Sequence, residues 1–148
     1  MTAGPRGQAG AAATGDEAAR SAERLLAWFR SRARDVPWRD ETDPYRIWVA
    51  EVMAQQTRMA VVRERYAGFV AAFPDVHALA AADRDEVLKA WEGLGYYSRA
   101  RHLHDAARVV ASEHGGRLPA SVEGLRALPG IGPYTAGAVA SLAFGLRE

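Results

Sequence analysis

Glu51 stands out because the sequence places its carboxyl group beside apolar side chains. Asp43 can cap a helix and Pro44 suits the first helical position, so the surrounding stretch predicts a helix. At about 100° per residue, Glu51 shares a face of that helix with Ile47 and Trp48. Carboxyl groups transfer protons in many enzyme sites, which makes Glu51 a candidate for acid–base chemistry. The alternative is an ordinary solvated glutamate, because this residue type is seldom buried without a partner.

A second pattern suits the binding of an anion. Residues 128–133 (LPGIGP) predict a helix end, a Gly-x-Gly hairpin and a new helix that starts at Pro133. The glycines let the backbone come close to a bulky anion, while the N–H groups and the dipole at the start of the new helix favour negative charge. A DNA phosphate fits this geometry without a basic side chain. The alternative is a plain turn between two packed helices. The longer Leu-Pro-Gly-Ile-Gly pattern is more specific than a bare Gly-x-Gly, because the small residues 136–138 (AGA) that follow it also let the two helices pack closely.

The elements that carry these two patterns are all predicted to be helices. No stretch of four or more residues alternates as a strand does, so the predicted fold class is all-α. Ser98 is expected to cap a helix that stops near His114, because Gly115 and Gly116 follow. Besides the helix of Glu51, the predicted helices are residues 21–33, residues 59–73, a short one around Leu79, one capped by Asp83, residues 98–114, residues 121–128 and residues 133–144.

Composition indicates one globular domain and excludes some kinds of site. The chain has 148 residues, of which 49% are hydrophobic, and a formal net charge of +1, so bulk charge does not indicate a nucleic-acid binder. It has no cysteine, which excludes disulfides and thiolate-held metal centres, and its four histidines lack metal-site spacing. No run approaches the ~18 apolar residues of a membrane span, so a cytoplasmic protein without a membrane partner is expected. Residues 1–20 predict a disordered tail, and residues 21–148 the helical domain.

Four motifs in this order resemble the helix-hairpin-helix DNA glycosylase superfamily, which includes endonuclease III. The hairpin of residues 128–133 is one of them. The other three are residues 36–39 (VPWR), 51–57 (EVMAQQT) and 91–101 (WEGLGYYSRAR). Together they narrow the resemblance to the A/G-specific adenine DNA glycosylases, and it covers about Leu25 to the last residue.

The resemblance implies a monomeric enzyme that removes adenine opposite 8-oxoguanine or guanine in duplex DNA, after flipping the adenine out of the stack. Glu51 is similar to the catalytic acid that protonates the leaving adenine, because a purine leaves poorly until its ring is protonated. Tyr134 resembles the pocket tyrosine that positions this acid and the nucleotide. In the endonuclease III branch a lysine takes this position and forms a Schiff base, which tyrosine cannot do. A monofunctional glycosylase is therefore expected.

The resemblance also assigns side chains that contact the lesion. Gln56 and Tyr96 resemble wedges in the base stack, and Thr57 resembles a contact to 8-oxoguanine. Trp38 and Arg39 resemble part of the adenine pocket. Without the resemblance, the two aromatic residues would equally suit the core, whereas Arg39 and Gln56 would be solvated surface.

In the hairpin, the resemblance implies that Gly130, Ile131 and Gly132 bind a DNA phosphate through the backbone. Arg99 and Arg101 could also contact phosphates, although arginines on a helix surface usually contact water.

The chain departs from the family pattern in two places. Ala54 stands where the family usually has a bulkier leucine, which weakens any wedge role of that side chain. The larger departure is at the carboxyl end, because the family's sugar-stabilising aspartate, the four cysteines of its 4Fe–4S cluster and its 8-oxoguanine-checking domain would all lie past Glu148. The cluster is expected of a full-length member and not of this chain. The 148 residues alone are thus expected to have little or no activity.

Two other functions stay open at this point. One is an endonuclease III-like glycosylase with lyase activity, which Tyr134 and the pair Gln55-Gln56 argue against. The other is a non-catalytic helix-hairpin-helix module that only binds DNA.

Overall fold

The structure is a computed structural model that describes Arg20, Glu23, Arg24 and residues 41–146. The regular elements of residues 41–146 are all helices, without a strand, which confirms the all-α prediction. They are α1 (Pro44–Ala54), α2 (Met59–Ala72), α3 (Val76–Ala81), α4 (Arg84–Ala90), α5 (Tyr97–Glu113), α6 (Val122–Arg126) and α7 (Pro133–Phe144). The predictions for the tail, for most of the helix of residues 21–33 and for Trp38 and Arg39 lie outside the described residues. None of the described helices is long and apolar enough to cross a membrane.

Helix α1 is the central element of the described fold. It begins as predicted, with Pro44 in its first turn and the Asp43 side chain accepting a hydrogen bond from the Tyr45 N–H at 3.0 Å. It packs against α2, α5 and α7, and its residues from Ile47 to Met53 are all buried. The sequence predicted one buried face for α1, but neighbouring helices enclose it on several sides, so more of the helix is buried than expected.

Helices α2 and α4 pack together through aromatic contacts. The Phe69 ring meets the Phe73 ring edge-on at a centroid distance of 5.1 Å and the Trp91 ring at 5.8 Å. Helix α4 begins after its predicted cap, since the Asp83 N–H donates to the Glu86 side chain at 3.2 Å. Both α3 and α4 pack on α5, which joins them to the centre of the fold.

The start of α5 differs from the prediction. Ser98 is not the cap, because the helix already begins at Tyr97 and the capping position is Tyr96, with φ 49° and ψ 60°. Gly95 also has a positive φ, of 70°. This left-handed turn leads the chain directly into the helix, so Ser98 falls within the first turn. The carboxyl end of α5 agrees with the prediction. His114 is the capping residue there, and the Gly116 N–H donates to the Val110 carbonyl at 2.9 Å.

The last helix packs closely on α1 through small side chains. Helix α7 runs from Pro133 to Phe144, as predicted, and its residues from Thr135 to Ser141 are buried. Glycine and alanine at positions 136–138 allow the backbones of α7 and α1 to approach. The hairpin that precedes α7 is therefore held against the helix that carries Glu51.

A buried histidine on α5 makes stability depend on pH. His104 is 0% exposed. Burial lowers the pKa of His104, the positive charges of Arg108 and Arg84 lower it further, and Asp105 opposes them. An unfolded histidine has a pKa of about 6.5, so below that pH the unfolded chain binds more protons than the folded one. Stability is therefore fully present above about pH 6.5 and falls as the pH drops towards the lowered folded value.

We expect the free energy of unfolding to decrease between pH 7.5 and pH 5.5, measured by urea titration at both values. His104→Leu should remove part of this decrease, whereas His114→Ala, at an exposed position, should keep it. An unchanged pH dependence in His104→Leu would show that other groups cause it.

Candidate active site

Glu51 is buried, with 2% of its surface exposed, between Ala50 and Val52 near the middle of α1. Trp48, three residues earlier on the same face, is 1% exposed. The setting is therefore the apolar one expected from the sequence, and the alternative of a solvated surface glutamate is wrong.

Tyr134 lies in the first turn of α7, beside the end of α1. The Gln55 amide nitrogen donates a hydrogen bond to the hydroxyl of Thr135, which is 2% exposed. This bond joins two residues 80 positions apart and ties the end of α1 to the start of α7. Tyr134 itself is 42% exposed. The fold thus brings the two predicted catalytic residues, Glu51 and Tyr134, onto adjoining helices.

Gln56 and Tyr96, the predicted wedge residues, share an unusual backbone. They are the two non-glycine residues with a positive φ in the part of the chain that the structure describes, with φ of 56° and 49°. Both side chains are exposed, Tyr96 to 59%. A left-handed backbone costs an ordinary residue about 1–2 kcal/mol, and such strain concentrates at functional sites. The two residues therefore occupy exposed turns that the surrounding structure must hold in place.

Thr57 makes its hydrogen bonds within the protein. Its hydroxyl accepts a bond from Arg99 at 2.7 Å and lies 3.2 Å from the Gln55 carbonyl and 3.3 Å from the Leu94 carbonyl. The residue is partly buried. Its contact to 8-oxoguanine stays a prediction.

The role of Arg99 differs from the prediction. Its terminal nitrogens bond to protein carbonyls and to Thr57, so they are not directed at a phosphate. Arg101, by contrast, is exposed. Sequence reasoning missed this role because the partners of Arg99 on α1 lie 44 to 47 positions away and no local pattern indicates them.

The hairpin has two glycines with different environments. Gly130 has φ 75°, and a Cβ at this position would lie 2.4 Å from the Cβ of His102, so the hairpin packs tightly on α5. Ile131 is 7% exposed and anchors the turn in the core. Gly132 is exposed, and no described atom comes within 4 Å of where its Cβ would lie. Among the residues that the structure describes, none therefore covers the start of the 12-residue helix α7 at Gly132.

Two further features bear on cofactors and ligands. The described residues contain no cluster of metal-ligating side chains, and the chain has no cysteine, so its residues do not fit the 4Fe–4S cluster of the family. A pocket of about 410 Å³ lies where α1 begins and α7 ends, lined in part by Tyr45, Leu118 and Phe144. Glu51 lies about two turns further along α1, so this pocket is separate from the candidate site.

Curated relatives of the chain are adenine DNA glycosylases. The human protein is 48% identical over 82% of this chain, the Mycobacterium tuberculosis protein 44% over 83%, and the Buchnera aphidicola protein 37% over 82%. The chain spans only 24%, 41% and 35% of these proteins, respectively.

Solved structures show the same fold. A thermostable thymine-DNA glycosylase superposes with a TM-score of 0.72 at 32% identity, covering 90% of this chain and 62% of that one. A trapped covalent intermediate of endonuclease III with DNA superposes with a TM-score of 0.68 at 22% identity, over 85% and 60% of the two chains. At that identity the second likeness bears on the fold alone.

A family model for the HhH-GPD superfamily of base excision DNA repair proteins matches residues 49–142. The match extends from α1, with Glu51, through the turn at Tyr96 and the hairpin into α7. This chain belongs to the HhH-GPD superfamily of base excision DNA repair proteins.

Proposed function

We propose that this chain carries the adenine-excising site of a DNA glycosylase that acts on adenine opposite 8-oxoguanine or guanine in duplex DNA. The observation that carries the proposal is the burial of Glu51, 2% exposed, on a helix that adjoins the hairpin helix α7. The identity of up to 48% to adenine DNA glycosylases supports the choice of base.

In the proposed reaction, Glu51 donates its proton to a ring nitrogen of the flipped adenine. The bond between the sugar and the base then breaks, and its electron pair leaves with the protonated base. The sugar carries positive charge in the transition state. Water then adds to the sugar and loses a proton to the Glu51 carboxylate, which completes the hydrolysis.

Tyr134 determines which branch of the superfamily we propose. A lyase of the endonuclease III type needs an amine to form a Schiff base with the sugar, and a phenol cannot supply it. Tyr134 is 42% exposed on the first turn of α7, where it can line the site and position the nucleotide. We therefore assign a monofunctional glycosylase and keep the glycosylase/lyase and the purely DNA-binding module as alternatives.

Recognition of the lesion is assigned to residues of the two turns that contain Gln56 and Tyr96. Gln56 and Tyr96 would enter the base stack when adenine is flipped, and Thr57 would contact 8-oxoguanine. Trp38 and Arg39 complete the adenine pocket in this proposal. The backbone of Gly130, Ile131 and Gly132 would hold a phosphate at the start of α7, where N–H groups and the helix dipole favour an anion.

The wider setting is also part of the proposal. The protein would act as a monomer on duplex DNA in the cytoplasm, associated with the nucleoid. A 4Fe–4S cluster would belong only to a longer form, because this chain supplies no cysteine.

Single-turnover excision tests the proposed reaction. Duplexes with adenine opposite 8-oxoguanine are incubated with this chain and with a version extended to the length of its relatives. We expect the extended protein to release adenine without cutting the strand, and the 148-residue chain to release little or none. Cleavage of duplexes with thymine glycol by the extended protein, with adenine left in place, would contradict the proposal and favour the lyase.

A further inference from the structure

The Arg99 side chain joins two segments that are distant in sequence. One terminal nitrogen, Nη1, donates to carbonyls at the end of α1, and the other, Nη2, reaches the Thr57 hydroxyl and the turn before α5. The acceptors of Nη1 are the carbonyls of Val52 at 2.6 Å, Met53 at 3.1 Å and Gln55. Those of Nη2 are the Thr57 hydroxyl at 2.7 Å and the carbonyls of Leu94 at 3.3 Å and Gly95 at 3.5 Å.

The Nη1 bonds reach carbonyls at the end of α1, of which that of Val52 also accepts from the Gln55 N–H at 3.3 Å. The last carbonyls of an α-helix have no intrahelical donor, and a cation at that end also interacts favourably with the helix dipole. Burial lowers the pKa of Arg99, yet arginine stays charged in proteins because its reference value is so high. The charge is thus retained in a partly buried place, where carbonyl oxygens replace water.

Aromatic rings enclose the same guanidinium group. Its central carbon lies 5.4 Å from the centroid of the Trp91 ring and 5.5 Å from that of Tyr96. The Trp91 indole N–H in turn donates to the Gly95 carbonyl at 3.0 Å. Arg99 therefore contacts the predicted wedge residue Tyr96 directly and the turn that holds it.

Gln56, the other wedge residue, lies between two partners of Arg99. The Gln55 carbonyl and the Thr57 hydroxyl, on either side of it, both accept bonds from the guanidinium group. The Gln55 side chain also donates to Thr135, next to Tyr134. The turn at residues 55–57 is thus fixed to α5 and to α7 at once.

We propose that Arg99 is a positioning residue that holds the turns of residues 55–57 and 94–96 together, so that Gln56 and Tyr96 keep their left-handed backbones and remain ready to enter the base stack. The part that concerns the base stack rests on the function proposed above. The part that concerns the two turns rests on the contacts of Arg99 alone.

Amide hydrogen exchange in the free 148-residue chain tests the effect on the turns. Arg99→Gln should speed exchange at Gln55 and Leu94 by about tenfold or more, because these turns then open locally, and leave buried Val139 of α7 unchanged. The Gln55 and Leu94 amides are the probes because they donate to the carbonyls of Val52 at 3.3 Å and Trp91 at 3.1 Å. Arg99→Lys should give a smaller effect, since one ammonium group keeps the charge but cannot span both sets of acceptors. Arg108→Gln, at an exposed position of the same helix, is the control. Unchanged exchange in both Arg99 variants, or an equal increase at Val139, would overturn the proposal.

A fluorescent base tests the effect on DNA. The duplex holds 2-aminopurine in place of the adenine opposite 8-oxoguanine, and its fluorescence rises when the base leaves the stack. With the protein extended to the length of its relatives and present at saturation, Arg99→Gln should reduce the rise about fivefold or more, while the Kd for the duplex changes less than about twofold, because the hairpin contacts remain. A full rise in Arg99→Gln would overturn the role in flipping. If the extended wild-type protein gives no rise, the proposed function fails at this step, and the exchange experiment still decides whether Arg99 positions the turns.

Discussion

Glu51→Gln is expected to abolish adenine excision while DNA binding is retained. Glutamine has nearly the same shape as the glutamate that is 2% exposed on α1, but it has no proton to donate to the leaving base. Loss of a general acid typically lowers a rate by about 10²–10⁴-fold, and a purine depends strongly on its protonation. The single-turnover rate should fall by at least this factor.

The measurement uses the protein extended to the length of its relatives and a duplex with adenine opposite 8-oxoguanine. Binding of the same duplex, followed by fluorescence anisotropy, should change less than about threefold, since no phosphate contact is lost. Glu113→Gln, an exposed glutamate at the end of α5, should keep both the rate and the binding. Excision by Glu51→Gln at a rate near that of the wild type would remove Glu51 from the reaction.

Gly132→Asp is expected to weaken binding to DNA by about tenfold or more without loss of stability. Gly132 is the capping residue of α7, with φ −87° and ψ −179°, a backbone that any residue adopts. Aspartate is a preferred residue at this position of a helix and should stabilise α7 by a few tenths of a kcal/mol relative to glycine. Its carboxylate would nevertheless lie where we propose that the phosphate binds, and the two negative charges repel.

Gly132→Asn separates the charge from the added volume. Asparagine caps a helix about as well as aspartate and has nearly the same size, so the two variants should have the same Tm. The asparagine variant should, however, lose much less affinity for DNA than the aspartate variant. Titration of a labelled duplex at two salt concentrations measures the affinity of both variants for DNA. Because repulsion between exposed charges weakens as salt is added, the loss of affinity in Gly132→Asp should be smaller at the higher salt concentration. Equal affinity of the aspartate and asparagine variants would show that no phosphate binds at Gly132.

Local signals predicted most of the helix boundaries. The cap Asp43 with Pro44, the cap Asp83, and the start of α7 at Pro133 each depend on neighbouring residues. The end of α5 at Gly115 and Gly116 is of the same kind. Ser98 was the wrong cap because Gly95 and Tyr96 form a left-handed turn whose geometry the residue types do not indicate.

The candidate site shows the same difference between features set by neighbouring residues and features set by distant ones. The sequence alone determined that a carboxyl group lies among apolar residues on a helix and that a glycine hairpin precedes another helix, because spacing and turn chemistry act over a few residues. Only the tertiary structure decided that α1 is enclosed on several sides, that Gln55 bonds to Thr135 and that Arg99 joins two turns. These contacts connect residues 42 to 80 positions apart, and a pattern of a few residues contains no information about which distant partner will meet it.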